Sequence, residues 1–429
     1  MLQKISCYCR RINFCDFLFA KGRLLDKQIA NKAKLCYNVK LDKYVVKSKG
    51  GFKVIYFDNA ATTKPCREAI EASREMMETN WGNPSSLHAL GLSAQLKVDS
   101  AREIVADTLG TKPKNIIFTS GGTEANNLAV NSAVQTKHRR GNRIVASAYE
   151  HSSIHHKLES LEKEGFEVVF VPAEKSGIID PKKIAEKVDE KTILVTAMMT
   201  NNEVGGTNDI QRIVKLTKQK NPNTLVHTDC VAAFGKVKID VTKLGVDTLT
   251  ISAHKIHGLK GTGALYVKDG TRVVGYTIGG EQEKSIRPGT ENTAGIVAFA
   301  AAIEKVFPEI GTNFEKVQKL KTHLAEKIAQ TDFIKINCEN DFPYTTNISV
   351  EGLRSETLLH YLESREIYVS SGSACSKGAR THVLESMGFD RKTQDSAIRI
   401  SFSADNTIEE IDTLINEITN AKNTLCGTK

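Results

Sequence analysis

From Val54 onward, short apolar runs alternate with longer amphipathic stretches. Seven of the runs read as strands: "NIIFTS", "RIVASA", "EVVFV", "TILVTAM", "TLVHTD", "DTLTIS" and "GALYV". Several are almost wholly apolar, the pattern of strands covered on both faces. Between most of them the apolar positions recur at helical spacing, as in "TEANNLAVNSAVQ" and "DIQRIVKLTKQ". Strand–helix alternation of this kind predicts an α/β fold with a mostly parallel sheet flanked by helices. Such sheets bind ligands beyond the carboxyl ends of their strands.

After the glycine-rich segment "GYTIGGEQEKSIRPGTENT" the rhythm changes. A helix-rich tract leads to "TNISV", "SETLLHYLESR", "IYVSSGSAC", "AIRISFS" and "TIEEIDTLINEIT". This predicts a smaller α+β unit. The expected division is a large unit over 54–313 and a small one over 314–429, with 54–68 free to pack on the small one. No repeat or low-complexity tract is visible.

Charge modifies this picture only at the amino end. Residues 1–52 hold twelve Lys/Arg against three Asp/Glu, which is the whole net charge of +9. From totals of 59 and 50, that leaves 47 of each sign elsewhere, so the main body offers no basic surface for direct nucleic-acid binding. Two readings of residues 1–53 compete. One is a mitochondrial presequence, since the first fifteen residues are basic and free of acids. The other is an upstream mis-assigned start. "KGGFKV" back-translates as AAA-GGA-GGT-TTT-AAA-GTG, a bacterial ribosome-binding sequence, a spacer and a start at Val54. The second reading implies a bacterial cytoplasmic protein. No apolar run is long enough to cross a bilayer. Of the nine cysteines, the five past residue 52 are widely scattered, with no C-x-x-C pair and no zinc spacing, so reduced thiols and no metal are expected.

Several polar residues follow strand patterns and can carry chemistry. In "FTSGGTEANN" a strand ends, glycines follow and a helix opens near Thr123; Gly122 and Thr123 make either a phosphate cradle or a capped turn. Asp229 ends "TLVHTD" and suits a cofactor's protonated ring nitrogen, a metal or a helix cap. Ser252, His254 and Lys255 follow "DTLTIS"; a lysine there is a candidate for Schiff-base chemistry, against the ordinary solvated role. His151 follows "RIVASA", and Asn202 and Glu203 follow "TILVTAM". Arg399 lies within apolar "AIRISFS" and needs an anionic partner, either a substrate carboxylate or a structural acid. Cys375 sits among small residues in "SSGSACSKG", where its thiol is unshielded. Together an anion site, a carboxylate and an imine-forming lysine match the needs of pyridoxal phosphate (PLP).

The chain resembles the cysteine desulfurases of the class-V aminotransferase group, which have fold type I of PLP enzymes. The resemblance runs from about Val54 to residue 425 on "YFDNAATT", "WGNPSSLH", "FTSGGTEANN", "EHSS", "NNEVG", "HTDCVAAFGK", "SAHKIHGLKG", "RPGTEN" and "SSGSACS". It implies that Lys255 holds PLP as a Schiff base and moves protons, and that His151 stacks on the ring and assists. Asp229 would pair with the ring nitrogen, and Asn202 would lie near the ring hydroxyl and the substrate. Gly122, Thr123, Ser252 and His254 would hold the phosphate, completed by Thr290 from a partner subunit in a homodimer. Arg399 would bind the carboxylate of L-cysteine. Cys375 would take the substrate sulfur as a persulfide, release alanine and pass the sulfur to an acceptor protein. The implied acceptor is an iron–sulfur scaffold or a tRNA-thiolation enzyme. Selenocysteine lyase, or a catalytically weak scaffold for sulfur acceptors, is the alternative.

Three residues depart from the family pattern. Ala232 stands where glutamine is usual, Ala253 where glycine is, and Leu259 where proline is common. The segment "SKGARTHVLESMG" is also shorter than in well-known iron–sulfur-assembly members, and looks more like relatives that serve tRNA thiolation.

Overall fold

The computed structural model describes residues 54–371 and 382–426. Residues 1–53 and Cys375 lie outside the described residues. All seven apolar runs form one sheet: β2 (Ile116–Thr119), β3 (Arg143–Ser147), β4 (Glu167–Val171), β5 (Thr192–Thr196), β6 (Leu225–Asp229), β7 (Thr248–Ser252) and β8 (Gly263–Val267). The strand order is β2-β8-β7-β6-β5-β3-β4. Only β8 runs against its neighbours, pairing antiparallel with both β2 and β7. The remaining pairings are parallel, so β2 through β7 all point the same way.

The reason is in the side chains. β2, β5 and β7 are buried at every residue, as expected where helices cover both faces. The helix Ala89–Leu109 ends at Gly110, whose left-handed φ of 68° lets its N–H reach back to Ala106 and Asp107. Because the strands share one direction, Thr119, Ser147, Thr196, Asp229 and Ser252 end on a single edge of the sheet.

A second group of elements follows. β9 (Ile334–Ile336), β10 (Thr345–Val350) and β12 (Ala397–Ser401) form an antiparallel sheet in the order β12-β10-β9. The helices Ile310–Ala329, Ser355–Glu363 and Ile408–Cys426 bury Val317, Leu320, Leu324, Leu358, Leu362 and Ile411 against it. β1 (Ile55–Tyr56) pairs in parallel with β11 (Ile367–Tyr368), so the first described residues join this group and Phe57 enters its core. Residue 314 falls inside the continuous helix Ile310–Ala329.

Candidate active site

The sheet's carboxyl edge borders a cavity of about 210 Å³. Its walls include Gly122, Thr123, His151, Asn202, Asp229, His254, Lys255 and Arg399. Of the eleven residues expected in the site, ten lie among the described residues, and eight of these are brought together. Ser252 is fully buried behind the wall, with its hydroxyl 3.4 Å from the carbonyl of Thr262. Thr290 is exposed and does not line the cavity.

Each side chain is positioned by its strand end. After β2, the helix Gly122–Lys137 opens toward the cavity, with the N–H groups of its first turn free of helical partners. A Cβ on Gly122 would meet Val231 Cγ2 at 2.9 Å, so any side chain there would have to shift Val231 or the helix end. Glu124 accepts the Ser120 N–H at 2.6 Å and Arg287 Nε at 3.0 Å, which fixes the turn. After β3, His151 caps the helix Ser152–Lys163: its Nδ1 accepts the Ser153 N–H at 3.2 Å and lies 2.8 Å from Ser153 Oγ. Burial lowers its pKa; Lys255 acts the same way, and Asp229 opposes.

Asp229 is buried at the end of β6. Its Oδ1 accepts the Val231 N–H at 2.8 Å and its Oδ2 accepts Asn126 Nδ2 at 2.7 Å. Both oxygens keep a lone pair for a further donor. After β7, a turn over Ala253–Lys255 presents His254 and Lys255. Lys255 Nζ donates to the carbonyls of Ala60 and, at 2.8 Å, Ala61. Burial, reinforced by Arg399 and Lys236, brings its pKa down to about 7. Burial and Lys255 bring that of His254 down to about 4.

Arg399 is fully buried on β12 and has an acid of its own chain, Asp58, beside it. Its Nη2 lies 2.6 Å from Asp58 Oδ1, and Nη1 donates to the Asn202 carbonyl at 3.2 Å. Among the described residues, its buried Nε has no hydrogen-bond partner. Sequence reasoning missed Asp58, Ala60, Asn126 and Glu150. The signal was present, since all four lie in or beside quoted motifs, but only a fold shows which way each points. Glu150 is fully buried beside His151 and accepts the Met198 N–H at 2.7 Å and the Ser147 hydroxyl, which ties β3 to the residues after β5. Burial, aided by Asp229, pushes its carboxyl up to about 8.

The donor set fits PLP. A helix amino end with Thr123 suits an anion, Asp229 suits a protonated ring nitrogen, and a lysine titrating near 7 suits imine formation. Ala232 lines the cavity and offers the ring no side-chain hydrogen bond.

Comparisons with known proteins give the family. The family profile for Aminotransferase class-V matches residues 55–414. A protein of Clostridium botulinum named cysteine desulfurase IscS is 39% identical over 367 residues, which is 84% of this chain and 92% of that one. One of the same name from Methanosarcina thermophila is 35% identical, over 85% of this chain and 90% of the other. Among solved structures, a NifS-like protein matches at 34% identity with a TM-score of 0.82, covering 87% of this chain and all of its own. A structure described as SspA in complex with cysteine matches at 29% identity and a TM-score of 0.72, over 82% of this chain.

Proposed function

The chain belongs to the class-V aminotransferase family, and from that footing we propose that it is a PLP-dependent cysteine desulfurase. It converts L-cysteine to L-alanine and keeps the sulfur as a persulfide on Cys375. The observation that carries this reading is one cavity in which Lys255, lowered to about 7, shares the wall with Asp229 and His151.

Gly122 and Thr123, with Ser252 and His254 nearby, are the residues that would hold the phosphate. Asp229 would accept from the ring nitrogen, and Lys255 would bind the aldehyde carbon. When bound, PLP supplies the electron sink that loosens bonds at the substrate's α and β carbons. His151, held at Nδ1 by Ser153, takes or gives a proton at Nε2. Lys255 moves a proton at Nζ, which its lowered pKa allows near neutrality. Arg399 and Asn202 orient the substrate carboxylate, and the unpartnered Nε of Arg399 supports that role. The Cys375 thiolate attacks the substrate sulfur. A sulfur–sulfur bond forms and the substrate's carbon–sulfur bond breaks, its electron pair going to carbon. That carbon takes a proton and becomes the methyl group of alanine.

The active form is a homodimer in this reading. Thr290 is exposed, and Trp81, Leu87, Leu96 and Ile278 present large apolar side chains to solvent, Leu87 and Ile278 fully. A second copy would cover them and receive Thr290. The acceptor is a protein that builds iron–sulfur clusters or thiolates tRNA, in the bacterial cytoplasm. No helix among the described residues is long and apolar enough to cross a membrane. The test is mass analysis of the PLP-loaded protein after L-cysteine without reductant. One added sulfur atom on the peptide carrying Cys375 is the expected result. Sulfide released with that peptide unmodified would defeat the proposal.

A further inference from the structure

We propose that Asn126 is a positioning residue whose single side-chain amide ties Asp229 to the Ser153–His151 pair and holds both in register. This rests on the desulfurase reading for its purpose, but its geometry stands apart from activity. Asn126 lies in the first turns of the helix Gly122–Lys137 and is almost wholly buried. Its Nδ2 has two protons. One goes to Asp229 Oδ2 at 2.7 Å and the other to Ser153 Oγ at 2.9 Å. Asp229 comes from β6 and Ser153 from the helix after β3, so one amide joins two parts of the cavity wall.

Which way the amide points is decided by charge. A flipped Asn126 would aim its carbonyl oxygen at the Asp229 carboxylate, acceptor against acceptor. With the amine toward Asp229, Oδ1 faces His227 Nε2 at 3.1 Å. His227 must then donate from Nε2, and its Nδ1 accepts from Thr248 Oγ1 at 2.9 Å. That is a neutral ring of defined tautomer. Full burial agrees, lowering the pKa of His227 to about 4.

Ser153 Oγ accepts from Asn126, so its own proton is free for His151 Nδ1 at 2.8 Å. The Ser153 N–H points at that nitrogen as well. His151 is therefore held with Nδ1 as acceptor and its proton on Nε2. The chain Thr248–His227–Asn126–Ser153–His151 has one consistent assignment of donors, and Asp229 receives its fixed donor from the middle link.

The test is ¹⁵N histidine NMR on the full-length PLP-loaded protein, with His227 assigned by loss of its signals in His227→Gln. Both His151 and His227 are expected as the Nε2–H tautomer near neutral pH. Asn126→Leu is expected to leave His227 a mixture of tautomers and to weaken PLP affinity by about tenfold, the scale of one lost charge-assisted hydrogen bond. If Asn126→Leu does not fold, Ser153→Ala is read instead; it should shift the His151 signals and leave those of His227 in place. Either ring found with its proton on Nδ1 in the parent protein overturns the proposal. So does an Asn126→Leu protein with unchanged spectra and affinity. Both tautomers as expected in a protein that forms no alanine would uphold this inference and defeat the desulfurase reading.

Discussion

The amine of Lys255 is surrounded by reasons to lose its proton. It is buried, Arg399 and Lys236 are near, and the acids Asp58 and Asp229 only partly offset them. In the cofactor-free protein, acylation of Lys255 by an amine-selective reagent should follow an apparent pKa near 7, whereas exposed lysines titrate near 10.5. A Lys255 that reacts only above pH 10 would remove the electrostatic basis of its role. Ala232 makes a second prediction. Ala232→Gln should restore one hydrogen bond to the ring, about 1 kcal/mol, and slow PLP loss about fivefold as followed by absorbance during dialysis. The pattern of the sequence picks out Lys255, His151 and Asp229 as polar residues at or just after apolar runs, but their roles came only with the resemblance. Asp58 and Asn126 were not, because a partner more than a hundred residues away decides what each does.

At the scale of elements, the strands of the main sheet could be read largely because strands buried on both faces, such as β2 and β5, leave unbroken apolar runs. β1, β9 and β11 have two or three residues each, too short for any period to show. β11 stops at Tyr368, and Ser370 pairs with Arg399 through an isolated bridge. The junction of β2 with the helix Gly122–Lys137 is where element geometry meets the site. Gly122→Ala places a methyl group 2.9 Å from Val231 Cγ2. The shift this forces on the helix end should weaken PLP binding by about tenfold while the melting temperature changes little, as measured by fluorescence titration and calorimetry. Unchanged affinity would show that the helix end is not the phosphate site.

For the whole molecule, burial of titratable groups sets the response to acid. His227 and His254 are both depressed from 6.5 to about 4. The unfolded chain therefore binds protons that the folded chain refuses as pH falls from about 6.5 to about 4. Their contribution to stability is fully present above about pH 6.5 and is lost across that window, by up to about 3 kcal/mol for the fully buried His227. Urea midpoints should fall steeply over this range, and His227→Gln should flatten the slope. A slope untouched by that change would place the acid sensitivity elsewhere. The whole molecule's purpose is tested most directly by giving the PLP-loaded protein L-cysteine and a thiol reductant, and measuring alanine and sulfide together. Equal amounts of the two, both absent in Cys375→Ala, is the predicted result. Bound PLP with no alanine formed, or alanine and sulfide undiminished in Cys375→Ala, would contradict it.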